Sequence, residues 1–279
     1  MLKSKKPLKS LPAALSKKDH VIQLQTNGTW KTVLDPIAIE EPLEIQLGSK
    51  TLVITMRTPG HDHELSTGFL LTESIVDSPN QITSLEPCPL FPHPNRLKIT
   101  LSKKIKKTTP ELSRYGTISS SCGICGKQSI DEVLRTFDPI QHRSQISLKT
   151  ILQLPELFSK NQSSFQETGG VHAAALFNQK GTLHVLREDV GRHNAVDKVI
   201  GWSAQNNLWP PDKSILMVSG RISFEIVQKA LAARIPIVLG VSAPSSLAIS
   251  FARQSGQTLI GFLRPPRLNV YSHIESIVP

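Results

Sequence analysis

Between Ser214 and Leu263 apolar runs and amphipathic repeats take turns along the chain. "SILMVS" has a buried-strand pattern, "RISFEIVQKALAA" a helical one, "IPIVLG" a strand, "PSSLAISFARQSG" a helix and "TLIGFL" a strand. Short continuous apolar runs mark strands covered on both faces, and parallel strands need a crossover helix between them. The order β-α-β-α-β therefore predicts a parallel sheet with right-handed crossovers, and with it an α/β fold class. Upstream, "HAAALF", the turn Asn178-Gln179-Lys180-Gly181 and "TLHVLRED" predict a hairpin. "VGRHNAVDKVIGW" follows, with Val196, Val199 and Ile200 on one helical face.

The first half is less regular and richer in strands. "LEIQLGSKTLVITMR" (Leu43 to Arg57) alternates apolar and polar residues about a Gly-Ser-Lys turn, which predicts a hairpin. After "TPG", His63 to Val76 carries Leu65, Phe69, Leu70 and Ile75 near helical spacing. Strands are expected near Ile82 to Leu85 and Arg96 to Leu101, with the proline-rich "EPCPLFPHPN" as the loop between them. The polar run "SKKIKKTTPELSRYG" reads as a connection, and Ile130, Val133 and Leu134 mark one face of a later helix. The expected organisation is a basic leader over residues 1–20 and a β-rich portion with one helix over 21–110. A cysteine loop over 111–130 and an α/β cofactor-binding domain over 131–279 complete it.

Composition narrows the class. Of the 279 residues, 39% are hydrophobic, enough to bury a sizeable core. Three cysteines are too few for a secreted disulfide framework and fit a reducing compartment. The net charge of +10 gathers in Lys3, Lys5, Lys6, Lys9, Lys17 and Lys18 and again in Lys103, Lys104, Lys106 and Lys107. These runs read as a leader and a solvated loop, or as docking surfaces for an acidic partner or a nucleotide. Nucleic acid is disfavoured because no aromatics are interleaved to stack on bases. "LPAAL" is too short for a signal peptide core, and no run approaches the roughly 20 apolar residues that span a bilayer. The chain is expected to be cytoplasmic, with no membrane segment.

Each buried strand of the second half runs into a loop of small or cationic residues: Ser219-Gly220-Arg221, Ser242-Ala243-Pro244-Ser245-Ser246, and Arg264-Pro265-Pro266-Arg267. Open α/β sheets bind ligands at the carboxyl ends of their strands, and helix N-termini there favour anions. Singly each loop is an ordinary turn or cap; together they point to a phosphate-bearing ligand. In "GGVHAAA", His172 is either a structural residue or a proton donor and ligand contact. In "REDVGRHNAVDKV", the glycine between Asp189 and Arg192 at a helix start suits a guanine or ribose contact, whereas a solvated helix face accounts for many of the charges. "GHDHE" (Gly60 to Glu64) holds four ligand-type side chains, but neighbours on a helix diverge, and an acidic helix N-terminus explains them. No metal site is expected there.

"SSSCGICGKQSI" carries Cys122 and Cys125 as a lone C-x-x-C. A structural zinc site wants four ligands, often two such pairs, and no second pair exists. A zinc deaminase needs H-x-E ahead of P-C-x-x-C. Here Ser121 precedes the first cysteine, and the only H-x-E is His273-Ile274-Glu275, after the cysteines. What remains is a nucleophilic or persulfide cysteine, or a structural pair of thiols. For the first, Gly123 and Gly126 free the backbone, and Lys127 with a following helix N-terminus would lower the thiol pKa. A thiolate of that kind attacks a sulfur donor, and a second thiol protects or releases the sulfur by exchange.

Taken in order, "TPGHDHELSTGFLLTE", "SSSCGICGKQSI", "TGGVHAAALF", "REDVGRHNAVDKVIG", "SGRISFEIVQKA", "SAPSSLAI" and "GFLRPPRLNVYSH" resemble the FdhD family of sulfur carriers required for formate dehydrogenase activity. The resemblance implies a carrier that accepts persulfide sulfur from a cysteine desulfurase. It passes the sulfur to the molybdenum cofactor, bis(molybdopterin guanine dinucleotide), before that cofactor enters formate dehydrogenase. It implies Cys122 as the persulfide carrier with Cys125 as partner, and a cytidine deaminase-type α/β fold working as a homodimer. The family's cofactor-contacting segment matches Phe262, Leu263, Arg264, Pro265, Pro266 and Arg267; Ser219, Arg221, Ser242, His172 and Arg192 complete the expected cofactor site. One position departs from the pattern: where an Arg-Gly-x-Arg is expected, Pro265 removes a backbone N–H and the freedom of glycine. The rival classes are a cofactor-binding chaperone with structural cysteines and a zinc-binding regulatory module.

Overall fold

The computed structural model describes residues 15–88, 95–102, 137–141 and 144–279. It is a mixed α/β protein. The large sheet has six strands in the order β13-β12-β11-β10-β8-β9. Its centre is the expected parallel run: β10 (Ser214–Val218), β11 (Ile237–Gly240) and β12 (Thr258–Arg264) pair in parallel. The crossovers are α5 (Phe224–Ala232) and α6 (Ser246–Ser255). The hairpin of β8 (His172–Asn178) and β9 (Leu183–Asp189) joins the other side, β8 lying antiparallel to β10. An antiparallel β13 (Arg267–Ser272) closes the far edge.

Both faces of this sheet are apolar because it lies between helices. Ala174, Leu176, Leu216, Val218 and Val238 point to one face, under α4 (Arg192–Gln205), α5 and α6. Their neighbours Ala173, Ala175, Phe177, Ile215 and Met217 point to the other, under α2 (Leu148–Lys160). This is the period of two made visible in the burial. A six-residue helix α3 (Ser163–Thr168) follows α2. A short pair, β7 (Ile146–Ser147) with β14 (Ile277–Val278), ties the start of this half to its end.

The N-terminal sheet has the order β4-β3-β6-β5. The hairpin of β3 (Glu41–Leu47) and β4 (Lys50–Arg57) forms as its alternation predicts, beside β6 (Arg96–Leu101) and β5 (Ile82–Pro87). Leu43, Ile45, Val53 and Ile99 face Leu65, Phe69 and Leu70 of α1 (Asp62–Thr72). That helix stops four residues short of the expected Val76. Ser74 takes φ 56°, and Ile75 and Val76 turn back to donate to the Leu70 carbonyl, buried but not helical.

The other face of α1 meets α4 backbone to backbone. A methyl group at Gly68 would lie 1.9 Å from the Asp197 carbonyl oxygen, and one at Gly201 would lie 1.8 Å from that of Glu64. Only glycine permits this approach. Beside the seam Lys229 Nζ donates to Asp197 (2.9 and 3.0 Å), Glu73 (3.1 Å) and Thr72 Oγ1 (2.9 Å). Burial works against the ammonium charge, but the two carboxylates outweigh it and raise the Lys229 pKa. The helix of the β-rich portion is thus anchored on the α/β unit by shape and by charge.

The leader expected over residues 1–20 is a strand from Ser16 onward. β1 (Ser16–Leu24) and β2 (Trp30–Ala38) form an antiparallel pair in register over nine residues each. The turn contains Asn27-Gly28, with Gly28 at φ 82°, a strong hairpin signal in the sequence that the lysine-rich start obscures.

Candidate functional site

Strands β9, β10, β11 and β12 run in one direction, so their carboxyl ends lie on one edge, where β8 begins. Topology therefore gathers residues spread over nearly a hundred positions. His172 stands at the start of β8, and Arg192 opens α4 just after β9. Ser219 and Arg221 follow β10, Ser242 follows β11, and the segment from Phe262 to Arg267 makes the turn between β12 and β13. The expected cofactor contacts, Leu263 excepted, thus come to one rim. Cys122 and Cys125 lie outside the described residues, as do most of the polar connection and the helix face at Ile130, Val133 and Leu134.

The loops of this rim are cross-tied. Ile222 N–H donates to the Ala243 carbonyl (3.0 Å), and Ser245 N–H donates to the Ile222 carbonyl (2.9 Å). Phe262 N–H donates to the Ser242 carbonyl (3.1 Å), and Arg264 Nε donates to that of Val241 (3.3 Å). A methyl group at Gly220 would lie 3.2 Å from His172 Nδ1 and 3.8 Å from Arg192 Cβ, so the three residues touch at one corner. Ser219 Oγ accepts from Ala173 N–H (2.9 Å). Arg264 pairs with Arg267 across the turn, with Pro265 and Pro266 exposed at its tip. Phe262 is 44% exposed in the left-handed region, φ 49°. Leu263 differs from its neighbours: its side chain is fully buried in the core under α2, so it packs and cannot touch a ligand.

Charge at the rim is one-sided. Burial and the charges of Arg192, His193 and Arg221 hold the His172 pKa below its ordinary value, so its ring is neutral near pH 7. Arg192 Nε is buried and has no hydrogen-bond partner among the described residues. The acidic residues of these loops are already committed. Asp189 pairs with Lys198 Nζ at 2.7 Å, both fully buried. Glu225 faces His193 Nε2 at 3.7 Å, and the His193 contact pulls its pKa down to about 2 against the cost of burial. Unmatched guanidinium groups, a neutral imidazole and hydroxyls suit a phosphate ester or another oxyanion.

A second layer fixes the turn that presents Arg192. Asp189 accepts from Gly191 N–H (2.8 Å), Thr58 N–H (3.2 Å) and Asn194 Nδ2 (3.0 Å). Val190 N–H donates to Thr58 Oγ1 (3.0 Å), and Lys198 Nζ also donates to the Thr58 carbonyl (2.9 Å). The "TPG" loop of the N-terminal portion therefore braces the "EDVGRHN" loop of the sheet. Sequence reading did not single out Thr58, and it counted Lys198 among the charges of the turn-and-helix region without giving it a partner. The available signal was a charged pair, Asp197-Lys198, inside an otherwise apolar helical run.

His61, Asp62 and Glu64 of "GHDHE" are spent on protein partners. Asp62 takes a bidentate contact from the buried Arg57, and Glu64 one from Arg187 (2.6 and 2.8 Å). Burial opposes ionisation of Glu64, but Arg187 and His61 outweigh it and lower its pKa. Among the described residues no group of three or more His, Cys, Asp or Glu side chains is placed to hold a metal ion. Among them too, no helix is long and apolar enough to cross a membrane.

The model of the FdhD/NarQ family matches residues 38–278. The chain is 43% identical over 250 residues to the sulfur carrier protein FdhD of Mycolicibacterium paratuberculosis, covering 87% of this chain and 92% of that one. It is 43% identical to the protein of the same name from Thermoplasma acidophilum over 271 residues, 95% of this chain and 94% of that one. A crystal structure of a candidate formate dehydrogenase accessory protein from Desulfotalea psychrophila superposes with a TM-score of 0.76 at 27% identity. That match covers 95% of this chain and all of the other.

Proposed function

Because the chain belongs to the FdhD/NarQ family, we propose that it is a sulfur carrier serving the maturation of formate dehydrogenase. Cys122 is the acceptor. Its thiolate attacks the terminal sulfur of a cysteine desulfurase persulfide; the donor's S–S bond breaks, the desulfurase leaves as a thiolate, and Cys122 holds the new persulfide. Cys125 releases the cargo by attacking the Cys122 sulfur. A disulfide forms between the two cysteines, and the terminal sulfur leaves as hydrosulfide, carrying the electron pair that a metal-bound sulfide requires. The recipient is bis(molybdopterin guanine dinucleotide) molybdenum cofactor, a substrate of this protein, held by its phosphates and guanine bases at the sheet rim. The α/β unit is read as a deaminase-type fold that has given up deaminase chemistry, working in the cytoplasm where thiols stay reduced.

The observation that carries the cofactor half of this reading is the corner where Arg192, with its buried Nε unpartnered, meets His172 and Gly220 beside Arg221. A phosphate oxygen drawn in against the Arg192 guanidinium would supply the acceptor that this donor lacks among the described residues. Pro265 offers no N–H, so at the β12–β13 turn the contacts come from the Arg264 and Arg267 side chains.

Intact mass spectrometry after incubation with a cysteine desulfurase and cysteine tests the sulfur half. One added sulfur that a reductant removes, absent from Cys122→Ala, is the expected result. No added sulfur with an active desulfurase leaves a cofactor-binding chaperone in its place. Formate dehydrogenase matured normally by Cys122→Ala would overturn the assignment of the nucleophile.

A further inference from the structure

Arg192 is held in place by a part of the chain that supplies none of the rim residues. No hydrogen bond within the described residues steers its Nε, so the backbone that carries it sets where the guanidinium stands. That backbone has little hold of its own. Arg192 is the first residue of α4, and Gly191 before it has no side chain with which to cap the helix. The restraints come instead from the end of β4 and from Thr58, which follows it.

Thr58 is 1% exposed, and its N–H, carbonyl and hydroxyl all meet the stretch from Asp189 to Lys198. The N–H donates to Asp189 Oδ2 (3.2 Å), the carbonyl accepts from Lys198 Nζ (2.9 Å), and Oγ1 accepts from Val190 N–H (3.0 Å). Asn194 reaches back from the helix: its Nδ2 donates to the Met56 carbonyl (2.7 Å) and to Asp189 Oδ1 (3.0 Å), and its Oδ1 accepts from Thr55 Oγ1 (3.3 Å). The two amides ahead of Arg192 are thus both tied, Val190 to Thr58 and Gly191 to Asp189 Oδ1 (2.8 Å). The Thr58 hydroxyl is the one side-chain group of the β-rich portion that accepts directly from this turn.

We propose, on the reading of the rim as the seat of the cofactor's phosphates, that Thr58 is a positioning residue for the anion contact of Arg192. The β-rich portion then sets cofactor affinity without touching the cofactor. A guanidinium binds phosphate oxygens in a fixed fork, so its support must hold within about 0.5 Å. Without Oγ1 the part-buried Val190 N–H loses its acceptor, and the turn shifts to find another, taking Arg192 with it. Thr58 is not needed to join the two portions, because the close approach of Gly68 and Gly201 and the Lys229 cluster already do so.

Calorimetric titration of the full chain with guanosine diphosphate tests this. Thr58→Val, which keeps the volume and removes the hydroxyl, should weaken binding about three- to tenfold. Thr58→Ser should bind within about twofold of wild type, since it restores the acceptor. In an Arg192→Met background Thr58→Val should change affinity by less than about twofold, because the contact it positions is gone. A residue that only held the fold would show the same loss in both backgrounds. Coupling is reciprocal, so on the unmodified protein guanosine diphosphate should slow hydrogen exchange at the Val190 amide. That measurement needs no variant and decides the matter even where Thr58→Val does not fold. Wild-type affinity in Thr58→Val, equal losses in the two backgrounds, or Val190 exchange indifferent to the nucleotide overturns the assignment of Thr58 alone. An affinity that Arg192→Met leaves unchanged removes the reading of the rim, and the role of Thr58 with it.

Discussion

Arg192 and Lys198 stand on one helix, about 1.7 turns apart, in opposite electrostatic conditions. Lys198 is fully buried, pinned by Asp189 at 2.7 Å and by two carbonyls. Arg192 opens the helix at the sheet rim, its Nε enclosed and without a partner among the described residues. Deeper still, Lys229 is matched by Asp197 and Glu73. The back of α4 spends each charge on another charge; the front keeps cations in reserve. Buried ions without partners are costly, so the back of the helix pairs its charges, and the guanidinium of Arg192 would gain from an acceptor brought in from outside. A charge inventory without pairing would see one basic helix region and miss the division of labour.

The sharpest way to break the contrast is at the back. Lys229→Met leaves Asp197 and Glu73 buried without a cation and should cost about 3–5 kcal/mol in urea unfolding. A loss below about 1 kcal/mol would mean that the cluster is not the lock described above. Next comes the glycine seam. Gly68→Ala places a methyl where the Asp197 carbonyl stands, and a cost of about 3 kcal/mol is expected as α1 and α4 are forced apart. An equally stable variant would show that the helices can separate freely.

The front should respond in the opposite way. Arg192→Met is expected to move unfolding free energy by no more than about 0.5 kcal/mol. It should weaken calorimetric binding of guanosine diphosphate about tenfold or more. Unchanged binding would remove Arg192 from the cofactor site. The smallest effect belongs to Glu225, whose pairing with His193 lies between the two conditions. Its folded pKa, near 2, is below the ordinary 4.5, so its contribution is complete above pH 4.5 and fades as pH falls toward 2. The difference in Tm between wild type and Glu225→Gln should therefore shrink over that window. A difference that stays constant would assign the contribution to the hydrogen bond alone.

Legibility follows the range of the interaction. The parallel core was readable because burial on both faces imprints an uninterrupted apolar run, and "SILMVS", "IPIVLG" and "TLIGFL" are such runs. The rim was readable in part for the same reason, since residues that follow parallel strands must share an edge. Leu263 shows the limit: within "FLRPPR" alternation alternately exposes and buries side chains, and the motif does not say which residue is turned inward. The β1–β2 hairpin was hidden by its lysines, although Asn27-Gly28 between alternating residues announces a hairpin.

By itself the sequence determined the α/β class, the strands whose ends carry the rim, and the membership that its motifs suggest, because each is written in local periodicity or in contiguous residues. Only the tertiary structure decided that Asp189 belongs to Lys198 and Thr58, that Lys229 belongs to Asp197 and Glu73, and that Arg192 belongs to none of them. Those pairings join positions up to 156 apart in the chain. Coulomb energy depends on distance and burial in space, and neither is encoded by separation along a sequence.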